Sequence, residues 1–93
     1  MKLEIQRCLV VGTCHVTQDD TICLSEEEGI VAHEYEEGFY VHVPDAACDD
    51  ELRGIGYSPA FLGLLKLARE NDCDYLTLDR DGPEIEGLEV FEW

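Results

Sequence analysis

Residues 29–44 have the sequence GIVAHEYEEGFYVHVP, and this stretch decides the fold because two strand-like runs flank a glycine-containing turn. β-Branched and aromatic residues favour strands, and a three-residue loop with glycine in the left-handed position often joins the two strands of a hairpin. We predict a loop at 36–38, which pairs Tyr35 with Phe39. A four-residue loop would instead pair Tyr35 with Tyr40, so the faces on which the two histidines lie stay open.

The clearest helix signal follows the hairpin, at 58–72, where the sequence is SPAFLGLLKLAREND. Ser58 is a suitable N-cap, and Pro59 has the fixed φ that suits the first helical position. We expect the helix to end at Asn71. The spacing of the apolar residues predicts one wide buried face, formed by Phe61, Leu62, Leu64, Leu65 and Ala68.

Two further elements are predicted before the hairpin. Residues 3–11 alternate between apolar and polar side chains, which is typical of a strand that enters a core. Thr17 then caps a short helix whose first turn contains Asp19 and Asp20. These two acids stabilise the positive end of the helix dipole, whereas the acidic run 26–28 opposes the dipole at the other end.

The rest of the chain gives weaker signals. Residues 44–57 are acidic and contain two glycines, which predicts a loop with one helical turn at 49–53. A strand is predicted at 73–79, and the sequence DRDG at 79–82 predicts a tight turn. A last extended segment covers 88–93.

The predicted elements follow one another as strand, helix, strand, strand, helix, strand, with a C-terminal extension. This βαββαβ order is that of ferredoxin-like domains, so we predict an α+β fold with an antiparallel sheet and two helices. At 93 residues the chain is long enough for one core, and residues 1–93 are expected to form a single domain. The order names no activity, because one fold serves many functions.

The charge balance argues against several kinds of partner. The chain has 22 acidic and 6 basic residues, a formal net charge of -16 and an apolar fraction of 45%, so it should fold despite its charge. Repulsion between like charges disfavours direct binding to nucleic acid and to anionic membrane surfaces.

No apolar run is long enough for a membrane helix, and the start lacks the apolar block of a signal peptide. A cytoplasmic location is therefore expected.

Cysteine and histidine supply the candidates for chemistry. The five cysteines are odd in number and lack a C-x-x-C pair, which suits reduced thiols. Cys14 and His15 could act as thiol and base, but neighbours on a strand point to opposite faces, so an enzyme is not expected. A metal site would have to use Cys14, His15, His33, His42 and Cys48, which lack the paired spacing of zinc ligands. We therefore expect no metal and no cofactor.

Exposed carboxylates are the feature that favours a function. Duplex DNA carries one charge per about 1.7 Å of axis, so this net charge corresponds to about 27 Å of duplex, close to the ~30 Å diameter of such a domain. A protein with a groove of Lys and Arg for nucleic acid would attract this surface, which would compete for the groove. The acids that we expect to bind such a partner lie in predicted exposed segments and are Glu26, Glu27, Glu28, Glu36, Glu37, Asp49, Asp50 and Glu51.

The acidic surface also fits two simpler roles. It could keep a small protein-interaction module in solution, or it could adapt the chain to a high-salt cell. Partner binding that survives charge changes would indicate an apolar interface, for which Trp93 and Tyr40 are candidates. These patterns do not determine the oligomeric state.

The two ends of the chain are KLEIQRCLVVGTCHVTQDD at 2–20 and CDYLTLDRDGPEIEGLEVFEW at 73–93. They resemble the opening and closing signatures of a family of short uncharacterised proteins carried on bacterial plasmids and prophages. The family has no established activity, so the resemblance carries over no catalytic residue. It implies a mobile-element origin, where small acidic proteins often inhibit defence systems. We therefore expect an acidic DNA mimic, anti-CRISPR or anti-restriction, that occupies a basic nucleic-acid-binding site on a CRISPR effector or restriction enzyme.

Overall fold

The computed structural model describes residues 7–91, which form three α-helices and a four-stranded sheet. Single 3₁₀ turns at Thr13–His15 and Ala46–Cys48 precede the first and second helices. Residues 3–6 of the predicted first strand lie outside the described residues, as does Trp93. In chain order the elements are β1 (Cys8–Gly12), α1 (Gln18–Ser25), β2 (Ala32–Tyr35), β3 (Gly38–His42), α2 (Asp49–Ile55), α3 (Pro59–Glu70) and β4 (Tyr75–Asp79).

The strand order across the sheet is β1-β4-β3-β2. β3 is antiparallel to both of its neighbours, whereas β1 runs parallel to β4 at the edge of the sheet. The α+β fold is confirmed, and the elements follow the predicted βαββαβ order with one additional helix, but the sheet is mixed rather than antiparallel throughout. Burial explains the difference, because Leu76, Thr77 and Leu78 of β4 are all buried, which suits an inner strand. The edge strand β1 instead exposes Cys8 and Val10.

α2 is a third helix, where the sequence predicted a loop with one helical turn. Its first turn contains Asp49, Asp50 and Glu51, which stabilise the positive end of the helix dipole. Leu52 is fully buried and attaches the helix to the core. Gly56 ends the helix with a φ of 128°, a backbone conformation that residues with a side chain rarely adopt.

The core lies between one face of the sheet and the helices. Val11, Leu78 and Phe39 form one row across β1, β4 and β3, and Leu76 and Val41 lie in the next row. The buried helix residues that complete this core are Leu24 of α1, Leu52 of α2, and Phe61, Leu62, Leu64 and Leu65 of α3. The apolar face predicted for the 58–72 helix is therefore confirmed. Within residues 7–91, no helix is both long and apolar enough to cross a membrane.

The β2–β3 hairpin turns through two residues, 36–37, so the predicted three-residue loop is wrong by one residue. Tyr35 pairs with Gly38, which belongs to β3. Gly38 has no positive φ, but a Cβ at this position would overlap the carbonyl oxygen of Leu78 in β4. The glycine therefore allows the close approach of two strands and is not the residue that makes the turn.

Asp20 connects two helices through its buried carboxylate. One oxygen accepts the Thr17 N–H at 2.9 Å and the Ser58 hydroxyl at 2.5 Å, and the other accepts the Ser58 N–H at 2.7 Å. The Thr17 hydroxyl accepts the Asp20 N–H at 3.1 Å, which completes a capping box. The Ser58 hydroxyl also caps α3 by accepting the Phe61 N–H at 3.1 Å. Asp20 is therefore an interior residue that joins the N-terminal ends of α1 and α3.

Replacing Gly38 with alanine should lower the free energy of unfolding by about 2 kcal/mol or more, because the new Cβ would push β3 away from β4. Gly63→Ala is the control, since the space around Gly63 is open and alanine favours a helix by about 0.5–1 kcal/mol. Urea unfolding followed by circular dichroism measures both changes. A Gly38→Ala variant as stable as the wild type would contradict this close approach.

Replacing Asp20 with asparagine should lower the free energy of unfolding by about 2–4 kcal/mol, because hydrogen bonds to a charged group contribute about 1.5–3 kcal/mol each. The asparagine amide would also present a donor to groups that are themselves donors. Asp19→Asn removes the same charge from an exposed neighbour and should cost less than about 1 kcal/mol. Equal losses in urea unfolding would show that Asp20 does not join the two helices as described.

Candidate functional site

A groove of about 600 Å³ lies between the C-terminal end of α1 and the β2–β3 hairpin. Glu26 follows α1, Glu34 lies on β2, and Glu36 and Glu37 form the hairpin turn, with Arg80 beside them. We call the space lined by these five residues the acidic groove. The structure therefore brings together three of the eight predicted partner-binding acids, those at positions 26, 36 and 37.

Hydrogen bonds hold the two walls of the acidic groove in place. The Ser25 hydroxyl donates to the Glu34 carboxylate at 2.9 Å and joins the end of α1 to β2. The Arg80 backbone N–H donates to the Glu37 carbonyl oxygen at 2.8 Å and joins the hairpin turn to the chain after β4. The glutamates of the groove are therefore displayed on elements that are already ordered.

The electrostatics of the acidic groove favour a cation. Four carboxylates and one guanidinium leave a negative balance, to which the C-terminal end of α1 adds the negative end of its dipole. The ion pairs found within residues 7–91 are Arg53 with Asp50 and Arg69 with Asp49. Neither pair neutralises the groove, so its field would attract a Lys or Arg side chain from a partner.

Tyr35 lines the acidic groove, and Asp79 holds its hydroxyl. The hydroxyl donates to one Asp79 oxygen at 2.8 Å, and the Asp81 N–H donates to the other at 2.8 Å. The Asp81 N–H, with help from Tyr35, lowers the pKa of the Asp79 carboxyl below its ordinary value. Burial, followed by the hydrogen bond to Asp79, raises the pKa of Tyr35. Tyr35 is therefore a neutral donor at neutral pH.

The other two acids of the run 26–28 do not line the acidic groove. Glu27 borders a separate cavity of about 440 Å³, and Glu28 is exposed while its carbonyl accepts the Tyr57 hydroxyl at 2.9 Å. Glu27 has a φ of 51°, in the left-handed region that costs a residue with a side chain about 1–2 kcal/mol. This conformation closes α1, because the Glu27 N–H donates to the Leu24 carbonyl oxygen at 3.0 Å and the Glu28 N–H donates to the Cys23 carbonyl oxygen at 3.1 Å.

The three acids of α2 have different surroundings, and none of them lines the acidic groove in the described part of the chain. Asp49 accepts two hydrogen bonds from the Arg69 guanidinium, at 2.9 and 3.1 Å, in a partly buried ion pair. Asp50 pairs with Arg53 on the surface at 2.9 Å, and Glu51 is exposed. Asp49 therefore already has a cationic partner inside the molecule.

His15 is a buried tether for the C-terminal segment 83–91. Its Nε2 accepts the Ile85 N–H at 2.8 Å, so Nδ1 carries the ring proton and donates to the Glu89 carbonyl oxygen at 2.8 Å. The neighbouring Cys14 carbonyl oxygen also accepts a hydrogen bond from the segment. Because both ring nitrogens are occupied, His15 has none left to take a proton from Cys14.

The other cysteine and histidine side chains of the described residues do not form a metal-binding cluster. All five cysteines are free, as predicted. No group of three His, Cys, Asp or Glu side chains in residues 7–91 is arranged to hold a metal ion. Burial, and after it the charge of Glu28, raises the pKa of the Cys23 thiol, which disfavours a reactive thiolate there.

Comparison with known proteins identifies a family. The domain described as "Family of unknown function (DUF5983) C-terminal domain" matches residues 8–93. The chain belongs to the DUF5983 family. This result confirms an uncharacterised family, whereas an origin on plasmids or prophages stays a prediction. No curated protein and no solved structure matches the chain, so the roles of residues in this DUF5983 domain have to be argued from its own structure.

Sequence reasoning did not identify Glu34 and Arg80 as parts of the acidic groove. A two-residue turn is the signal that would have found Glu34, because it pairs Glu34 with Phe39 on the face of the sheet that packs against the helices. Arg80 follows β4, which is distant from the hairpin in sequence. No local pattern connects it to the groove, since the β3–β4 pairing is a tertiary feature.

The DUF5983 domain should lose stability above about pH 10, where tyrosine ordinarily ionises. The pKa of Tyr35 is raised in the folded state, so the unfolded chain releases this proton first, and the stabilisation present below pH 10 is lost as the pH rises further. Burial raises the pKa of Tyr57 in the same direction. Urea unfolding at neutral and alkaline pH should show a smaller alkaline loss for Tyr35→Phe, and an equal loss would contradict this assignment.

Proposed function

We propose that this DUF5983 domain is an acidic mimic of nucleic acid that occupies a basic nucleic-acid-binding site on another protein. The observation that carries the proposal is the acidic groove, in which Glu26, Glu34, Glu36 and Glu37 line one space at the negative end of α1. A protein surface built to hold phosphates presents Lys and Arg side chains. These are the groups that the acidic groove would attract.

The way in which the carboxylates are held supports mimicry. Binding through ordered groups loses less conformational entropy than binding through mobile ones. Glu26 is the C-cap of α1, and the Glu37 carbonyl oxygen is bound by the Arg80 N–H. Glu34 receives the Ser25 hydroxyl. The carboxylates therefore lie on elements that need little reorganisation to meet a cationic groove.

The acidic run 26–28 also supports a role beyond stability. Acids at the C-terminal end of a helix oppose its dipole, at a cost of about 0.3–1 kcal/mol each. Glu27 adds the cost of a left-handed backbone that glycine would adopt without strain. The left-handed backbone itself serves folding, because the Glu27 and Glu28 N–H groups donate to the Leu24 and Cys23 carbonyl oxygens and so close α1. Partner binding would explain why an acid and not glycine stands at this position.

A narrower form of the proposal names the target as a CRISPR effector or a restriction enzyme, so that the domain is an anti-CRISPR or anti-restriction inhibitor. It is supported by the resemblance of the two chain ends to short proteins of bacterial plasmids and prophages. The net charge of -16 fits a target that binds nucleic acid. This form requires a cytoplasmic location, as predicted from the sequence.

A second candidate function is a small non-catalytic interaction module whose acids only keep it in solution. The wide spread of the acids favours it, because exposed acids also occur on α2 and at Glu84, Glu86 and Glu89 in the C-terminal segment. A solubilising surface does not depend on which acids are present. Mimicry depends on those of the acidic groove, so the two functions can be separated by charge-matched variants.

The test compares two triple variants that lose the same charge. Glu26, Glu36 and Glu37 are replaced by glutamine in one, and Glu84, Glu86 and Glu89 in the other. A partner is first retained from host lysate on the immobilised wild-type chain and identified by mass spectrometry. The groove variant should bind it about tenfold more weakly or worse, because each exposed charge pair contributes up to about 1 kcal/mol. The other triple variant should differ little from the wild type.

Salt dependence gives a second reading of the same experiment. Affinity of the wild type for the retained protein should fall as salt rises, because exposed charges are screened within about 10 Å at 0.1 M salt. Unchanged affinity in both triple variants would support the solubilising alternative, and either that result or equal weakening in both would contradict mimicry through the acidic groove. A retained protein that binds no nucleic acid would also contradict mimicry. Cys14→Ala should leave binding unchanged, and loss of an activity in that variant would instead indicate thiol chemistry.

A further inference from the structure

On the face of the sheet opposite the core, two rows of residues cross the strands beside the row that contains Asp79 and Tyr35. One row joins Val10, Thr77, Tyr40 and His33, and the other contains Tyr75, paired on its two sides with residues of β1 and β3. We call this surface the open sheet face. The buried side chains of the three helices belong to the core on the other face, so no described helix covers it.

The open sheet face is almost uncharged, although the chain has 22 acidic residues. The two rows contain no Asp or Glu. Asp79 is the acid that shares this face within the described strands, and its two oxygens are bound by the Tyr35 hydroxyl and the Asp81 N–H. Charged residues are depleted at the centre of protein interfaces, and the open sheet face, where Asp79 is already hydrogen-bonded, is depleted in the same way relative to the rest of this acidic exterior.

Aromatic side chains are exposed on this face. Tyr40 is 49% exposed and stacks on Tyr35 with ring centroids 4.5 Å apart, and Val10 is 43% exposed. His42 meets Tyr75 edge to face at 5.1 Å. A largely apolar cavity of about 480 Å³ lies between Tyr40 and Tyr75. An exposed aromatic patch of this kind marks a binding surface more often than a solvated one.

The open sheet face and the acidic groove are continuous through one residue. Tyr35 lines the groove and also stacks on Tyr40. A partner whose cations lie in the acidic groove can therefore contact Tyr35 and Tyr40 at the same time. Aromatic side chains at the centre with charges at the rim are the usual arrangement of residues that dominate binding energy.

We infer that the open sheet face anchors the interface by taking arginine side chains of a basic partner protein, whose guanidinium groups stack on Tyr40 while neighbouring cations lie in the acidic groove. This inference rests on the proposed function. Arginine fits better than lysine, because its planar and weakly hydrated guanidinium stacks on aromatic rings. The face itself offers almost no free carboxylate, so stacking has to hold the cation there and the groove supplies the attraction.

Two other occupants fit less well. The open sheet face measures roughly 300 Å² from strand number and spacing, whereas a stable interface needs about 800 Å² from each partner. A basic partner gains the missing area by also covering the acidic groove, whereas a second copy would bring its own carboxylates against it. Two chains with a net charge of -16 also repel each other. The same charge repels nucleic acid, whose bases could otherwise stack on the tyrosines.

The test titrates the full chain with oligoarginine and oligolysine peptides of equal length and follows backbone amide signals by NMR. The arginine peptide should bind about two- to fivefold more tightly, as expected for stacking on an exposed ring. When the arginine peptide binds, the backbone amide signals of Tyr35, Tyr40 and Tyr75 should shift. Tyr40→Thr should abolish the difference between the peptides, and Tyr40→Phe should keep it. Val90→Thr is the control, because Val90 is 44% exposed on the C-terminal segment, outside this face.

The outcomes separate this inference from the proposed function. Equal affinity for both peptides, with shifts confined to the groove, would overturn the anchor and leave mimicry standing. Shifts that avoid both surfaces would overturn both. A dimer that Tyr40→Thr converts to monomer in sedimentation equilibrium would assign the face to a second copy and overturn the anchor. If Tyr40→Thr does not fold by circular dichroism, the wild-type shift map and the Tyr40→Phe affinities decide the question in the same way.

Discussion

The buried carboxylate of Asp20 fixes where α1 lies, and the acidic groove depends on that position. The carboxylate binds the N-terminal ends of α1 and α3 together, and α3 supplies most of the helical side of the core. The other end of α1 is then held against β2 by the hydrogen bond from Ser25 to Glu34. With both ends held, the negative end of the helix and Glu26 face the hairpin, and the groove forms between them.

The distribution of charge divides the exterior into two kinds of surface. The acidic groove gathers carboxylates beside a helix end, whereas the open sheet face is aromatic and almost free of acids. The two surfaces meet at Tyr35, whose hydroxyl is held by Asp79 and whose ring stacks on Tyr40. In the proposed interface, the acidic groove attracts the cations of the partner and the open sheet face gives them a surface on which to pack.

Local signals in the sequence predicted much of the fold, and tertiary features accounted for the rest. The caps Thr17 and Ser58 both start helices, because capping depends on residues near in sequence. The hairpin register was missed because Gly38 looked like a turn glycine, whereas Leu78, distant in sequence, is what requires it. The edge position of β1 likewise depends on burial. Among the predicted site residues, Asp49 is paired internally with Arg69, a contact that no local pattern reveals.

Competition for the partner tests mimicry most directly. A protein retained by the domain would be loaded with labelled nucleic acid and titrated with the wild-type chain. A mimic that occupies the same groove should displace the nucleic acid completely, and the concentration needed for half displacement should rise in proportion to the nucleic acid present. A stable ternary complex of partner, nucleic acid and domain would contradict the account, because one cationic groove cannot hold both ligands at once.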